Sequence, residues 1–190
     1  MTGHSQDGTT CTLDIISHSS TQTKRLGQCL GELLRGGELL LLDGQLGAGK
    51  TTFTQGLARG LNITETISSP TFTLLKEHPG QLRPSSATQE QSEGLGVSPI
   101  SPALYHFDLY RLDDPEEIID LGFEDYFYGS GVCVVEWAEK ADIVWPAEKL
   151  RIRMTRQNEM ERRLLLIATG GRYCELLRQV QKQIYATTLF

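Results

Sequence analysis

Leu39-Leu40-Leu41-Leu42-Asp43-Gly44-Gln45-Leu46-Gly47-Ala48-Gly49-Lys50-Thr51-Thr52 runs from four consecutive leucines into a glycine-rich turn and ends on a lysine and two threonines. An unbroken apolar run of this length reads as a strand buried on both faces, the pattern of a parallel sheet. Residues 44–51 match GxxxxGK[ST] at every fixed position, between that strand and a helical pattern, which is the context the motif requires. Glycines let successive backbone N–H groups close around a polyphosphate with no Cβ in the way, and the helix start adds the positive end of its dipole. Leu46, Gly47, Ala48, Gly49, Lys50, Thr51 and Thr52 are therefore the expected nucleotide-binding residues. Lys50 is expected to reach the β- and γ-phosphates, and the Thr51 hydroxyl to ligate Mg²⁺.

Outward from this stretch, strands and helices alternate. Residues 12–17 read as a first strand, and Leu26, Leu30, Leu33 and Leu34 recur at helical spacing after an N-cap at Ser19–Ser20. A second helix is expected from Lys50 to Leu61, with Phe53, Leu57 and Leu61 on one side. ETISSPTFTLLKEH reads as loop then strand, with Pro70 forcing Ser69 to be extended. ALYHFDLYRL (103–112) alternates as a strand, Leu104, His106 and Asp108 on one face and Tyr105, Phe107 and Leu109 on the other. Asp114–Pro115 opens a short acidic helix, 131–137 is another buried strand, 150–154 and 162–169 form a late hairpin, and 172–184 an amphipathic terminal helix. Mostly apolar strands alternating with helices give a three-layer α/β domain, in which ligands bind at the carboxyl ends of the strands.

At 190 residues the chain fits one domain with a substantial core. Residues 1–10 read as a flexible N-terminus. Residues 78–102 hold four of the seven prolines among many Ser, Gln and Gly, and read as a disordered surface insertion. A net charge of −6 lacks the basic footprint of a direct nucleic-acid binder, so no direct sequence-specific grip on nucleic acid is expected. No apolar stretch is long enough to span a membrane, and the N-terminus lacks a signal-peptide pattern, so a cytoplasmic protein is expected. The four cysteines (Cys11, Cys29, Cys133, Cys174) are scattered without a CxxC pair, which argues against a zinc or thioredoxin-type site. Cys29 and Cys133 fall in apolar patterns and read as reduced core thiols.

Two carboxylates stand out. Asp108 lies inside a strand pattern between aromatics, where a charge is costly unless paired or metal-bound; the bland alternative is an Asp paired with Arg111. Glu136 closes VCVVEW, as a general base, a water positioner or a magnesium-side ligand; its bland alternative is an exposed strand-end carboxylate. Ser68-Ser69-Pro70-Thr71 reads as a plain turn or as a switch segment whose Thr71 senses a γ-phosphate or its Mg²⁺. Trp137 reads as either core or a ring near the nucleotide, and His106 as a structural strand histidine. Glu139-Lys140-Ala141-Asp142 imitates the guanine-reading [NT]KxD, but Glu replaces the Asn or Thr and no DxxG precedes it, so adenine is favoured.

GQLGAGKTTFTQGLARGL, SPTFTL, YHFDLYRL and VVEWAEK, in this order, closely resemble the TsaE (YjeE) family of small ATPases in bacterial tRNA threonylcarbamoyladenosine biosynthesis. The resemblance covers residues 12–169 apart from the 78–102 insertion. It implies a P-loop NTPase-like fold with a mixed central sheet flanked by helices. It implies Thr51, Glu136 and Asp108 on the Mg²⁺ side, Trp137 near the nucleotide, Thr71 in a switch-like loop, and Ser20 near the adenine. Lys50, Asp108 and Glu136 are then the expected catalytic set, with ATP and Mg²⁺ bound. TsaD and TsaB are the implied partners: TsaD, with TsaB, modifies adenosine 37 of ANN-decoding tRNAs, and hydrolysis supports turnover. The chain departs from the family in the late hairpin, where Met160-Glu161-Arg162-Arg163 replaces a common Gly-Arg, and no nucleotide contact is assigned there. With no evident arginine finger, hydrolysis by the isolated chain is expected to be slow. The alternatives are a nucleotide-gated non-catalytic binding module and a small-molecule kinase.

Overall fold

The computed structural model describes residues 9–81, 100–112 and 114–186. Seven strands form one sheet: β1 (Thr10–Ser17), β2 (Leu39–Asp43), β3 (Leu75–His78), β4 (Leu104–Asp108), β5 (Val132–Glu136), β6 (Lys149–Arg156) and β7 (Arg162–Thr169). Their order is β1-β7-β6-β2-β5-β4-β3. The central strands β6, β2, β5 and β4 are mutually parallel, whereas β7, β1 and β3 are added antiparallel at the two edges. The sheet is therefore mixed, as expected from the family resemblance.

Period-2 alternation sends each strand's side chains to two different cores. Leu40 and Leu42 of β2, Leu104 of β4, Val132 and Val134 of β5, and Leu150, Ile152 and Met154 of β6 pack on one face. Covering that face are α1 (Ser20–Leu33), α2 (Lys50–Gly60) and α5 (Gly171–Ala186). Leu39, Leu41, Phe107, Cys133 and Val135 face the other way, under the short helices α3 (Glu116–Asp120) and α4 (Glu124–Phe127) and under Ala138, Ala141 and Trp145. The buried apolar residues of β6 and β7 join only the first core, so the second helical layer covers β2, β4 and β5, with Leu75 of β3 packed against it.

Four glycines set the distance between α1 and α2. A Cβ on Gly27 would run into the Phe53 carbonyl oxygen, and one on Gly31 into that of Leu57. On the other helix, Gly56 faces the carbonyl of Lys24 and Gly60 that of Gln28. Backbone thus lies on backbone, which seats α2 and the loop before it against α1.

Several expected boundaries move. The strand expected over 103–112 ends at Asp108: Leu109 N–H makes the last bond to β5, at the Glu136 carbonyl, and Leu112 N–H then closes a turn on Leu109. The acidic helix divides into α3 and α4 at Gly122, which takes φ +69°. Thr10, placed in a flexible N-terminus, is paired with Thr169 in the sheet; residues 1–8 lie outside the described residues. Most of the 78–102 insertion also lies outside them, but its ends meet: Ser101 N–H donates to Gln81 O at 2.9 Å, and His78 belongs to β3. Cys29 and Cys133 are free and buried, as expected. Cys11 and Cys174, 163 residues apart, are bonded between β1 and α5, a pairing that their spacing did not suggest. Among the described residues no helix is long and apolar enough to cross a membrane.

Candidate functional site

Parallel strands present their carboxyl ends on one edge, so β2, β4 and β5 deliver Asp43, Asp108 and Glu136 together, with Asp108 directly opposite Glu136 in the register. The glycine turn leaves β2 there. Gly47 takes φ +76° and Gly49 φ +104°, conformations that side chains with a Cβ resist. Gly49 is the N-cap of α2 and supplies no side-chain cap, so the first N–H groups of the helix are left for a ligand.

A cavity of about 500 Å³ opens at this edge. Every residue expected from the sequence to bind nucleotide or metal lines it: the 46–52 loop and helix start, Thr71, Asp108, Glu136, Trp137 and Ser20. Thr23, Ser69, Tyr110, Glu159, Met160 and Arg162 line it as well and were missed. Thr23 follows one turn after the α1 N-cap, buried, with its hydroxyl bonded to Ser17 Oγ and the Ser19 carbonyl. Met160 and Arg162 reach the cavity because β7 returns beside β6. The late hairpin, to which no contact was assigned, thus contributes to the wall.

Lys50 is buried near the cavity floor. Its Nζ donates to the carbonyls of Gly44 and Gln45 (3.2 Å to the latter) and lies 3.6 Å from the centroid of the Trp137 ring. Burial lowers the Lys50 pKa, and the carboxylates of Glu136, Glu139, Asp108 and Asp43 act against that. Carbonyls and a ring face hold a cation weakly compared with an anion, so the ammonium has no anionic partner in direct contact. Trp137 itself takes φ +61°, an outlier for a bulky residue, and its N–H donates to Leu42 O at 3.0 Å. That backbone turn, invisible in the sequence, directs the indole over Lys50 and against Tyr110, 5.0 Å away between ring centroids.

Glu136 is 2 % exposed, which removes the reading of an exposed strand-end carboxylate. Its Oε2 accepts from the Thr51 hydroxyl at 3.0 Å, and its Oε1 lies 2.9 Å from His106 Nε2. Asp108 does not pair with Arg111, whose guanidinium lies 4.2 Å from the Phe72 ring centroid. Asp108 Oδ2 accepts from the hydroxyls of Ser69 and Thr71 (2.6 Å from Thr71), and Oδ1 from the Tyr110 N–H at 2.9 Å. The carboxylate therefore ties the 68–74 loop, which carries the exposed Phe72, to the cavity wall.

The imitation of a guanine-reading motif is structural. Lys140 Nζ donates to the carbonyls of Tyr110 and Leu112, and Asp142 pairs with Arg151.

Residues 17–164 match the family model described as threonylcarbamoyl adenosine biosynthesis protein TsaE. The chain belongs to the TsaE family. A tRNA threonylcarbamoyladenosine biosynthesis protein TsaE of Bacillus subtilis is 40 % identical over 161 residues, covering 85 % of this chain and 89 % of the relative. The protein of the same name from Rickettsia felis is 31 % identical, covering 92 % and 91 % respectively. The crystal structure of B. subtilis YdiB superposes with a TM-score of 0.71 at 32 % identity, over 92 % of this chain and 97 % of that one. A TsaE chain with this sheet and loop is thus α/β and P-loop NTPase-like in fold.

Proposed function

We propose that this chain is a Mg²⁺-dependent ATPase of the TsaE type that binds TsaD and TsaB and supports turnover in threonylcarbamoylation of tRNA adenosine 37, in the cytoplasm. One observation carries the reading: a glycine loop, an uncapped helix start and the buried Lys50 converge on one cavity, beside a Thr51–Glu136 contact. The donors suit Mg²⁺, a hard cation that takes oxygen ligands, keeps several waters and uses one or two carboxylates beside substrate phosphates. Thr51 Oγ1 and a Glu136 oxygen supply such ligands. Among the described residues no cluster of three or more His, Cys, Asp or Glu is built to hold a metal alone, which suits an ion that arrives with the nucleotide.

Bound there, Mg²⁺ would offset phosphate charge. Lys50 and the loop amides stabilise the charge that spreads over the transferring phosphoryl group, and Glu136 or Asp108 orients the attacking water. The base is held between the start of α1, at Ser20 and Thr23, and the β6–β7 turn. A kinase reading is disfavoured because the cavity wall, among the described residues, holds a single arginine, Arg162. The gating-module alternative draws support from Asp108, whose contacts join the cavity to the 68–74 loop, so occupancy alone has a route to the surface.

The deciding experiment reconstitutes tRNA threonylcarbamoylation with TsaD and TsaB, comparing wild type with E136Q. The expected outcome is that E136Q binds ATP, fails to hydrolyse it and allows only a single turnover. Unimpaired multiple turnover by E136Q favours the gating module. Faster hydrolysis by the isolated chain than with TsaD and TsaB overturns partner dependence.

A further inference from the structure

His106 lies in the middle of β4, fully buried, on the same face as Leu104 and Asp108. Leu104 packs in the core beneath α1 and α2, so an apolar side chain would suit the next position on that face. The ring instead meets Glu136: Nε2 is 2.9 Å from Oε1. Nδ1 is buried and, among the described residues, has no hydrogen-bond partner.

These two facts decide the tautomer. An ionised carboxylate only accepts, so the proton in this contact sits on Nε2, and a neutral imidazole then leaves Nδ1 bare.

We infer that His106 is a positioning residue that donates from Nε2 to Glu136 Oε1 and so leaves Oε2 facing Thr51 and the cavity. Glu136 divides its work between its oxygens: one is held from within the sheet, the other is offered to the site. Without the donor the carboxylate is free to rotate, and Lys50, already within its electrostatic reach, is the competing partner. The inference rests on the ATPase reading above. It extends that reading to a residue that does not line the cavity.

Two measurements test it. In the nucleotide-free full-length chain, nitrogen-15 NMR of the histidine rings at neutral pH should show the proton of His106 on Nε2; a ring that carries its proton on Nδ1 and none on Nε2 overturns the inference. In the TsaD–TsaB assay, H106L should lower kcat for ATP hydrolysis about 10- to 100-fold, the usual loss when an orienting partner is removed. Its ATP affinity should stay near wild type. H106Q, whose amide reaches the position of Nε2 and keeps a donor, should recover most of the loss, and H106L/E136Q should be no worse than E136Q. Retained kcat in H106L, or a folded H106Q as impaired as H106L, overturns the inference. A dead E136Q beside an active H106L sinks the role of His106 alone, whereas an active E136Q sinks the ATPase reading and this inference with it. If H106L does not fold, the ring NMR and H106Q still decide.

Discussion

Asp43 ends β2 one residue before the glycine turn, yet its side chain points away from the cavity, toward Arg151 and Arg153 at 3.4 and 3.8 Å. Burial pushes its pKa from an ordinary 3.8 up to about 6; the two arginines pull it down, while Glu139 and Asp142 push it further up. A carboxyl raised on folding is held better by the native state when protonated. Its stabilising contribution is complete below about pH 3.8 and is lost as pH rises through about 6. Relative to D43N, the wild type should therefore lose stability between these pH values, by at most about 3 kcal/mol. Urea unfolding of both proteins across that window measures it, and a pH-independent difference would show that the arginines neutralise the burial. The neighbouring cavity was legible at this scale in its residue types: a loop lysine, a following hydroxyl and carboxylates on apolar strands single out Lys50, Thr51, Asp108 and Glu136, and the fold brings all four to one wall. The partners of those carboxylates were not legible. His106 beside Glu136, and Ser69 and Thr71 on Asp108, are contacts between different elements, so local sequence carries no trace of them.

The pairing of α1 with α2 seats the helix that follows the glycine-rich loop against its neighbour. Gly56 faces the Lys24 carbonyl so closely that an added methyl has no room, and the obstacle is backbone, which cannot swing aside. G56A should cost about 1–3 kcal/mol by overpacking, although alanine favours a helix. G171A, where a Cβ meets nothing within 4 Å, should stay within about 0.5 kcal/mol of wild type. Thermal melts of the two variants test the contrast, and equal stabilities would refute the close approach. Glycines stand four apart in each helix (27 and 31, 56 and 60), where by helix propensity alone they would only weaken it. Their purpose appears only when the helices cross. The elements themselves were well marked, because apolar period and capping residues are local signals. Their ends were less so: β4 stops at Asp108, past which the chain folds into a turn closed by Leu112 N–H on Leu109.

Across the whole molecule, the Cys11–Cys174 bond ties the edge strand β1 to the terminal helix and closes nearly the full length of the chain. Under oxidising conditions it should stabilise the fold by about 2–4 kcal/mol, mainly by constraining the unfolded chain. A reductant, or C11S, should remove that increment in urea unfolding; no change on reduction would show that the bond contributes nothing. In a reducing cytoplasm such a pair stands as two thiols, so the fold must rest on its cores. At this scale the sequence by itself determined the α/β class, the phosphate loop and the family, since those rest on runs of neighbouring residues and on ordered motifs. Only the tertiary structure decided the order of the strands and the two-sided distribution of the core, along with the bonded cysteines. It also decided the inward turn of Trp137 and the late hairpin's share of the cavity wall. Each of these depends on which distant segments meet, and a chain's local preferences do not encode that until burial and backbone pairing select one arrangement.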